Sequence, residues 1–423
     1  GTPILFDTAR NLKFIAFDLA AVGPYYIGTT GGNALTLTSG GAITMNAVVV
    51  NTQTINAPLV LGGASGAYAF TNNATSSSAL LNIGGGITGV SNGATVLTLS
   101  GTNVGSNTIS SVIANGTAAT LGVIKSGAGT WALNGPTTFS GGLTIQAGTL
   151  KVGSATGVGN GTVTLGIAGD ATSGTLDLNG QTETIVGLAT AGTAANQTIG
   201  NSSTSANAIL NFTSANTSTF GGVIQDVLGI GDKTTGVTVN NASGSVILSG
   251  ANTYTGATTV TAGTLKVTGS LASGSAVGVS GGTISGYGTI GGAVTLSSTG
   301  SIRLWDGAIG TQTLGSLSIT GAAGANNLYF DLASAGGGTD KLIVNGVTSV
   351  TNAGAAVINL TQLGGAATAI TPGTYTLIQG TTSMAAVGQF ALATSNAFGE
   401  TFTLGVSGND LQLTATTGTA GSN

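Results

Sequence analysis

The chain contains no cysteine and no histidine. That excludes disulfide staples, thiol nucleophiles, imidazole bases and most zinc-ligand sets. Charge is almost as scarce. Eight Lys+Arg and twelve Asp+Glu make up 5% of 423 residues, where about 25% is usual. Eight basic residues spread over this length cannot build a basic patch, so neither nucleic acid nor an anionic membrane surface is expected as a partner. Only five prolines occur, which excludes collagen and Pro-rich linkers. Long apolar runs are missing too. The longest candidate, Ile15 to Val22, is short and contains Asp18, whereas a spanning helix needs roughly 20 apolar residues. Apolar alternation broken by Gly every few residues, with 5% aromatics, does not fit the strands and girdles of a membrane barrel. No transmembrane segment is expected.

What the chain does have is 75 glycines and 41% hydrophobic residues, enough apolar side chain for a sizeable core. Its surface must then be solvated by Thr, Ser and Asn, and such a weakly charged surface favours association. Short alternating runs such as Leu35-Thr36-Leu37-Thr38, Val96-Leu97-Thr98-Leu99 and Thr162-Val163-Thr164-Leu165 predict β-strands with one side chain in and the next out. Asn-Gly pairs (Asn115-Gly116, Asn134-Gly135, Asn179-Gly180, Asn345-Gly346) punctuate them and tolerate positive φ at turns. Arg10 to Ala21 is the best helix candidate, and it fits a strand equally well.

Asn-Gly also suits hairpins; an internal repeat decides for a solenoid. Residues 125–152 (KSGAGTWALNGPTTFSGGLTIQAGTLKV) and 240–267 (NNASGSVILSGANTYTGATTVTAGTLKV) align without gaps at an offset of 115, with twelve of 28 positions identical. Trp131 with Leu133, Val246 with Leu248, Ile145 with Ala147, and Leu150 with Val152 are expected to point inward, with Gly148 and Gly263 at the corner. A unit this small cannot bury its own apolar side; stacked coils can, while pairing every backbone group with a neighbour. The structural residues that define the repeat are Gly135, Gly148, Leu150, Gly250, Tyr254, Gly263 and Leu265.

The second copy carries Leu248, Gly250, Asn252, Thr253, Tyr254, Gly256, Gly263, Thr264 and Leu265 and resembles the passenger-associated transport repeat of bacterial autotransporter passengers. The first copy departs from it at Pro136-Thr137 and Phe139. The resemblance implies an all-β fold, a right-handed parallel β-helix (β-solenoid) with terminal capping segments, outside the cell on a bacterial surface. In an autotransporter a membrane barrel would follow. The chain ends at Gly421-Ser422-Asn423 without one, so the expectation is that a barrel was cleaved or that export uses another anchor, such as a short sorting tail removed on maturation. The start Gly1-Thr2-Pro3 has no initiator Met and reads as processed or truncated.

Chemistry then rests on carboxylates. Asp170, Asp177 and Glu183, or Asp226 and Asp232, are candidates to meet on adjacent coils as a glycosidase pair, with Lys233 as the one cation beside them. They read more simply as solvated loop acids. Asp226 and Asp232 are also the first choice for a calcium site, although no Ca²⁺-loop spacing is present. Thr-x-Thr pairs raise an ice-binding face but are scattered. Neither a catalytic residue, a metal nor a cofactor is expected.

Residues 1–28 hold five of the 18 Phe and Tyr residues: Phe6, Phe14, Phe17, Tyr25 and Tyr26. An open solenoid end must be managed, so this segment is expected to be either a cap on its own end or a strand donated to the next molecule. The expected organisation is a cap or donated segment at 1–30, a solenoid at 31–300, and a β-rich continuation with a cap at 301–423. The expected function is an extracellular structural protein, self-associating and a candidate for head-to-tail filaments. The alternatives are an adhesin binding surface glycans through exposed Phe139 and Tyr254 rings, and then a polysaccharide-degrading enzyme.

Overall fold

A computed structural model describes residues 2–63, 66–90, 92–334, 338–351, 353–354, 356–363 and 370–417. The last six residues of the expected C-terminal cap lie outside the described residues. The chain forms two compact units, residues 1–211 with 221–235, and residues 212–220 with 236–423. The division falls within the 31–300 segment.

In the first unit, alternation along each strand becomes columns between coils. On one face Ile27, Ile55, Ile83, Ile109, Leu133 and Val152 stand in parallel register on successive coils. On the other, Tyr68, Leu97, Val123, Leu143, Val163 and Leu188 do the same. Most of these side chains are completely buried. Each full burial of a branched aliphatic stabilises by about 1.5–3 kcal/mol, so the columns are the principal favourable term. The fold is the expected parallel β-solenoid.

The second unit stacks in the same way. Val239, Val260, Val279, Leu296, Ile319 and Val350 form one column. Leu265, Ile284, Ile302, Leu328, Ile358 and Leu392 form another. Coil length varies: Thr258, Val277, Val294 and Leu317 lie over one another at intervals of 19, 17 and 23 residues. The unit ends differently. Strands Gly373–Gly380 and Asp410–Thr417 pair antiparallel, and Asp410–Thr417 pairs antiparallel with Glu400–Ser407.

Three expectations about side chains are corrected. Phe139 and Tyr254 are completely buried, not exposed, because the stretch that carries them turns into the coil and the ring fills it. Ala147 is half-buried; the inward residues of the strand before it are Leu143 and Ile145, since the chain is already turning at Ala147. Gly135 is needed for close approach and not for a left-handed backbone: a Cβ there would stand 2.3 Å from the Ser111 carbonyl oxygen. Gly148 and Gly263 do turn corners, with φ of 68° and 78°, where a side chain is disfavoured.

Candidate functional site

The N-terminal residues form the first coil of their unit. Strand Arg10–Phe17 pairs in parallel with Leu35–Met45, slipping register between Leu12 and Phe14. Ile4 bridges to Ile27, so the Ile column ends at a side chain that is 46% exposed. Of the five rings, Phe17 is buried and stacks on Tyr25, centroids 6.4 Å apart. Phe6 is half-buried, Tyr25 and Tyr26 are partly exposed, and Phe14 is 61% exposed. Lys13 Nζ lies 5.4 Å from the Phe14 ring centroid. Leu5 and Leu19 are exposed as well. Asp7 binds Arg10, whose guanidinium holds the carboxyl below its ordinary range.

The acids are mostly not solvated loop residues. Asp177 is buried, opposite Lys151 on the adjacent coil, Nζ to Oδ2 3.9 Å. Its Oδ1 accepts from the N–H groups of Asn179 and Ser202, both at 2.9 Å. Glu183 is completely buried. The N–H groups of Gly157 and Val158 lie near its carboxyl and favour ionisation, but outside hydrogen-bonding geometry; burial prevails and pushes the pKa up to about 8. Asp170 is exposed and turns its own loop through the Thr172 N–H. Asp226 accepts from the Thr235 N–H at 2.8 Å, and Asp232 pairs with Lys233 at 3.2 Å. Among the described residues, no group of three or more acids is arranged to hold a metal ion.

The Lys151–Asp177 pair was not legible in the sequence: 26 positions separate the two residues, and only the register of the coils joins them. They border a surface groove of about 560 Å3 in the first unit. Its floor includes a hydroxyl column of Ser106, Thr130, Thr149 and Thr175 on successive coils. Ser202 accepts from Lys151 Nζ at 3.0 Å, and Leu228 and Ile230 form an apolar lip. The neighbouring column reads Thr108, Ala132, Lys151, Asp177, so the Thr-x-Thr plane of an ice face does not form here.

Acids of the second unit shape a loop. Asp331 and Asp340 are completely buried. Asp331 Oδ2 accepts from the N–H groups of Asp306 and Gly307, and Asp340 Oδ1 from that of Gly310. Burial raises both pKa values, Asp340 to about 7, with nearby carboxylates adding to the rise. Next to this loop, the Arg303 guanidinium lies 5.1 Å and 4.9 Å from the ring centroids of Trp305 and Tyr329. The one signal for these residues in the sequence is local: Arg303-Leu304-Trp305-Asp306 concentrates two charges and a Trp in a chain that is poor in both.

The two repeats have a shared geometry. Thr130 lies over Thr149 and Trp131 over Leu150; Ser245 lies over Thr264 and Val246 over Leu265. Gly148 and Gly263 turn the corner before the Thr-Leu-Lys-Val strand in each. Residues 123–152 and 243–267 match the passenger-associated-transport-repeat. No curated protein matches the chain. The transport repeat thus covers two coil junctions, one in each unit. Of the residues that the two copies share, Leu133/Leu248, Leu150/Leu265 and Val152/Val267 face inward and Gly148/Gly263 turn corners, whereas Thr138/Thr253 are exposed and the part-exposed Lys151/Lys266 reach Asp177 and Asp306. No helix of the described residues is long and apolar enough to cross a membrane.

Proposed function

We propose that the chain is a structural, non-catalytic β-solenoid of a bacterial surface or extracellular matrix, and that it associates with copies of itself through its N-terminal coil. The transport repeats support an exported, passenger-type role. The carboxylates support the absence of catalysis, because the buried ones bind backbone N–H groups, pair with Lys151, or stand enclosed without a cleft, as Glu183 does.

The observation that carries self-association is the set of exposed apolar side chains on the N-terminal coil. Ile4, Leu5, Phe14 and Leu19 are all between 46% and 66% exposed on one terminal coil. A strand edge and an apolar core section together form a template for strand addition by a second copy. A heterologous contact of this kind that does not close generates a fibre.

Deleting residues 1–28 uncovers the edge of Leu35–Met45, so substitutions on the first coil are the sharper test. Leu5→Asp with Phe14→Asp is expected to leave folded, β-rich monomers where the parent chain forms assemblies, read by light scattering and electron microscopy. Assemblies that persist in this variant, or a parent chain that stays monomeric at high concentration, would overturn the proposal.

A further inference from the structure

The second unit holds a slot of about 300 Å3 lined by Trp305, Asn359, Leu360, Thr361, Ala393, Thr394, Ala397 and Phe398. We propose that this slot binds a neutral pyranose residue of a glycan, held between the Trp305 and Phe398 rings. The inference is independent of self-association at the N-terminal coil.

Trp305 carries the first part of the argument. The chain has two tryptophans. Trp131 is buried and donates from Nε1 to the Ser100 carbonyl, so packing accounts for it. Trp305 is 42% exposed on a surface otherwise dressed with Thr, Ser and Asn. Its position is fixed by its neighbours. Arg303 stacks on it, Tyr329 lies 5.9 Å away, and the loop that follows is tied down by Asp331 and Asp340. A large ring held rigid beside a cavity is a preorganised contact surface, which saves the entropy of ordering it on binding.

Phe398 carries the second part. Asn396 and Ala397 pair antiparallel with Thr401 and Glu400, leaving Phe398-Gly399 as a two-residue turn in which both φ values are positive, 55° and 80°. Such turns favour Asn-Gly at these positions, and a bulky residue there is a steric outlier. The Phe398 ring packs edge-on against the buried Phe402, centroids 6.3 Å apart, which fixes its orientation, although Asn would suit the turn itself better. Strain of this kind points to a use for the side chain, and the ring lines the slot.

The chemistry of the lining names the ligand class. It contains two aromatic rings, two hydroxyls and one amide, and no charged side chain. A pyranose ring offers apolar C–H faces for aromatic rings and hydroxyls at its rim for polar groups. Asn359 donates from Nδ2 to Asn327 Oδ1 at 3.0 Å and to the Val357 carbonyl, so its Oδ1 is the end that can accept from a sugar hydroxyl. Thr361 and Thr394 supply the other polar contacts.

The test uses the full chain and a panel of neutral oligosaccharides of glucose, galactose, mannose and N-acetylglucosamine, with oligogalacturonate as the acidic counterpart. Because Trp131 is buried, acrylamide quenching of fluorescence reports Trp305. At least one neutral oligosaccharide is expected to bind in calorimetry and to protect against quenching. Trp305→Ala should weaken that binding tenfold or more, with Trp305→Phe in between. Phe398→Asn should weaken it at least fivefold while leaving the hairpin folded, since Asn suits the turn. The Leu5→Asp, Phe14→Asp variant should bind as the parent does. Failure of every neutral sugar to bind, tighter binding of the acidic one, or undiminished binding by Trp305→Ala would each overturn the proposal.

Discussion

The two transport repeats satisfy one pattern with two different corners. In the first copy the strand Thr120–Lys125 stays in unbroken register with the next coil, and Lys125 faces Ile145. In the second it is Val239 that faces Val260, and the register slips twice before Ser245 meets Thr264. Thr130 follows Lys125 by five positions, and Ser245 follows Val239 by six. The gapless alignment therefore holds from Thr130/Ser245 onward and is one residue out at Lys125/Asn240. Lys125 is completely buried and donates from Nζ to the carbonyls of Ser126, Gly127 and Ala147 at 3.0, 2.7 and 2.9 Å. It stitches the corner with an ammonium group. The second copy fills its corner with the buried Asn241 instead.

A second difference lies four residues apart within each copy. Phe139 and Leu143 in the first correspond to Tyr254 and Thr258 in the second. The Tyr254 hydroxyl is 2.7 Å from Thr258 Oγ1, which is 3.0 Å from Ser275 Oγ; Ser275 donates to the Gly256 carbonyl at 3.0 Å. Burial pushes the Tyr254 phenol up to about 12, so it stays a neutral hydroxyl. The polar pair arrives and leaves together. The lesson is that the repeat specifies an aromatic plug, while its polar atoms are settled by the neighbouring coil, because a buried hydroxyl is tolerated only with a partner.

The largest expected effect falls on what the copies share. Gly263→Ala would place a Cβ 2.0 Å from Asn241 Oδ1 and 2.1 Å from the Asn241 carbonyl, on a left-handed backbone that itself costs about 1–2 kcal/mol. It should cost more than about 3 kcal/mol by denaturant unfolding. Gly148→Ala, 2.5 Å from the Gly127 and Gly129 carbonyls, should cost somewhat less.

Next come changes that break the difference between copies. Phe139→Tyr buries a hydroxyl beside Leu143 and should cost about 2 kcal/mol. Lys125→Met leaves three carbonyls without their donor and should cost about 2 kcal/mol near pH 7. The smallest effect is Tyr254→Phe, about 1 kcal/mol. Adding Thr258→Val should recover most of it, with a coupling energy of about 1 kcal/mol in the double-mutant cycle. Simple additivity would show that the pair is not a unit.

The first unit also carries two buried groups that titrate in opposite senses. Burial lowers the Lys125 pKa to about 8, against the pull of its carbonyl acceptors. Between pH 8 and 10.5 the unfolded chain then holds the proton that the folded chain has lost, so stability rises with pH. Glu183, raised to about 8, does the reverse: from pH 4.5 to 8 the folded chain holds the extra proton, and stability falls as pH rises. A minimum near pH 8 is expected in the unfolding of this unit. Glu183→Gln should flatten the acid limb and Lys125→Met the alkaline limb; a profile unchanged in both variants would show that neither group is desolvated as described.

The sequence by itself determined that the chain stacks. Alternating Leu, Ile and Val with β-branched Thr between them, interrupted by Gly at corners such as Gly148 and Gly263, dictates short strands with one buried face, and the internal repeat of units too small to bury that face alone makes stacking the outcome. The tertiary structure alone decided which side chains end up together. Lys151 meets Asp177, Arg303 meets Trp305 and Tyr329, and Trp305 and Phe398 come to line one slot only once the number of residues in each coil is fixed. That number is set by the corners, which differ in length from coil to coil, and no local propensity encodes it.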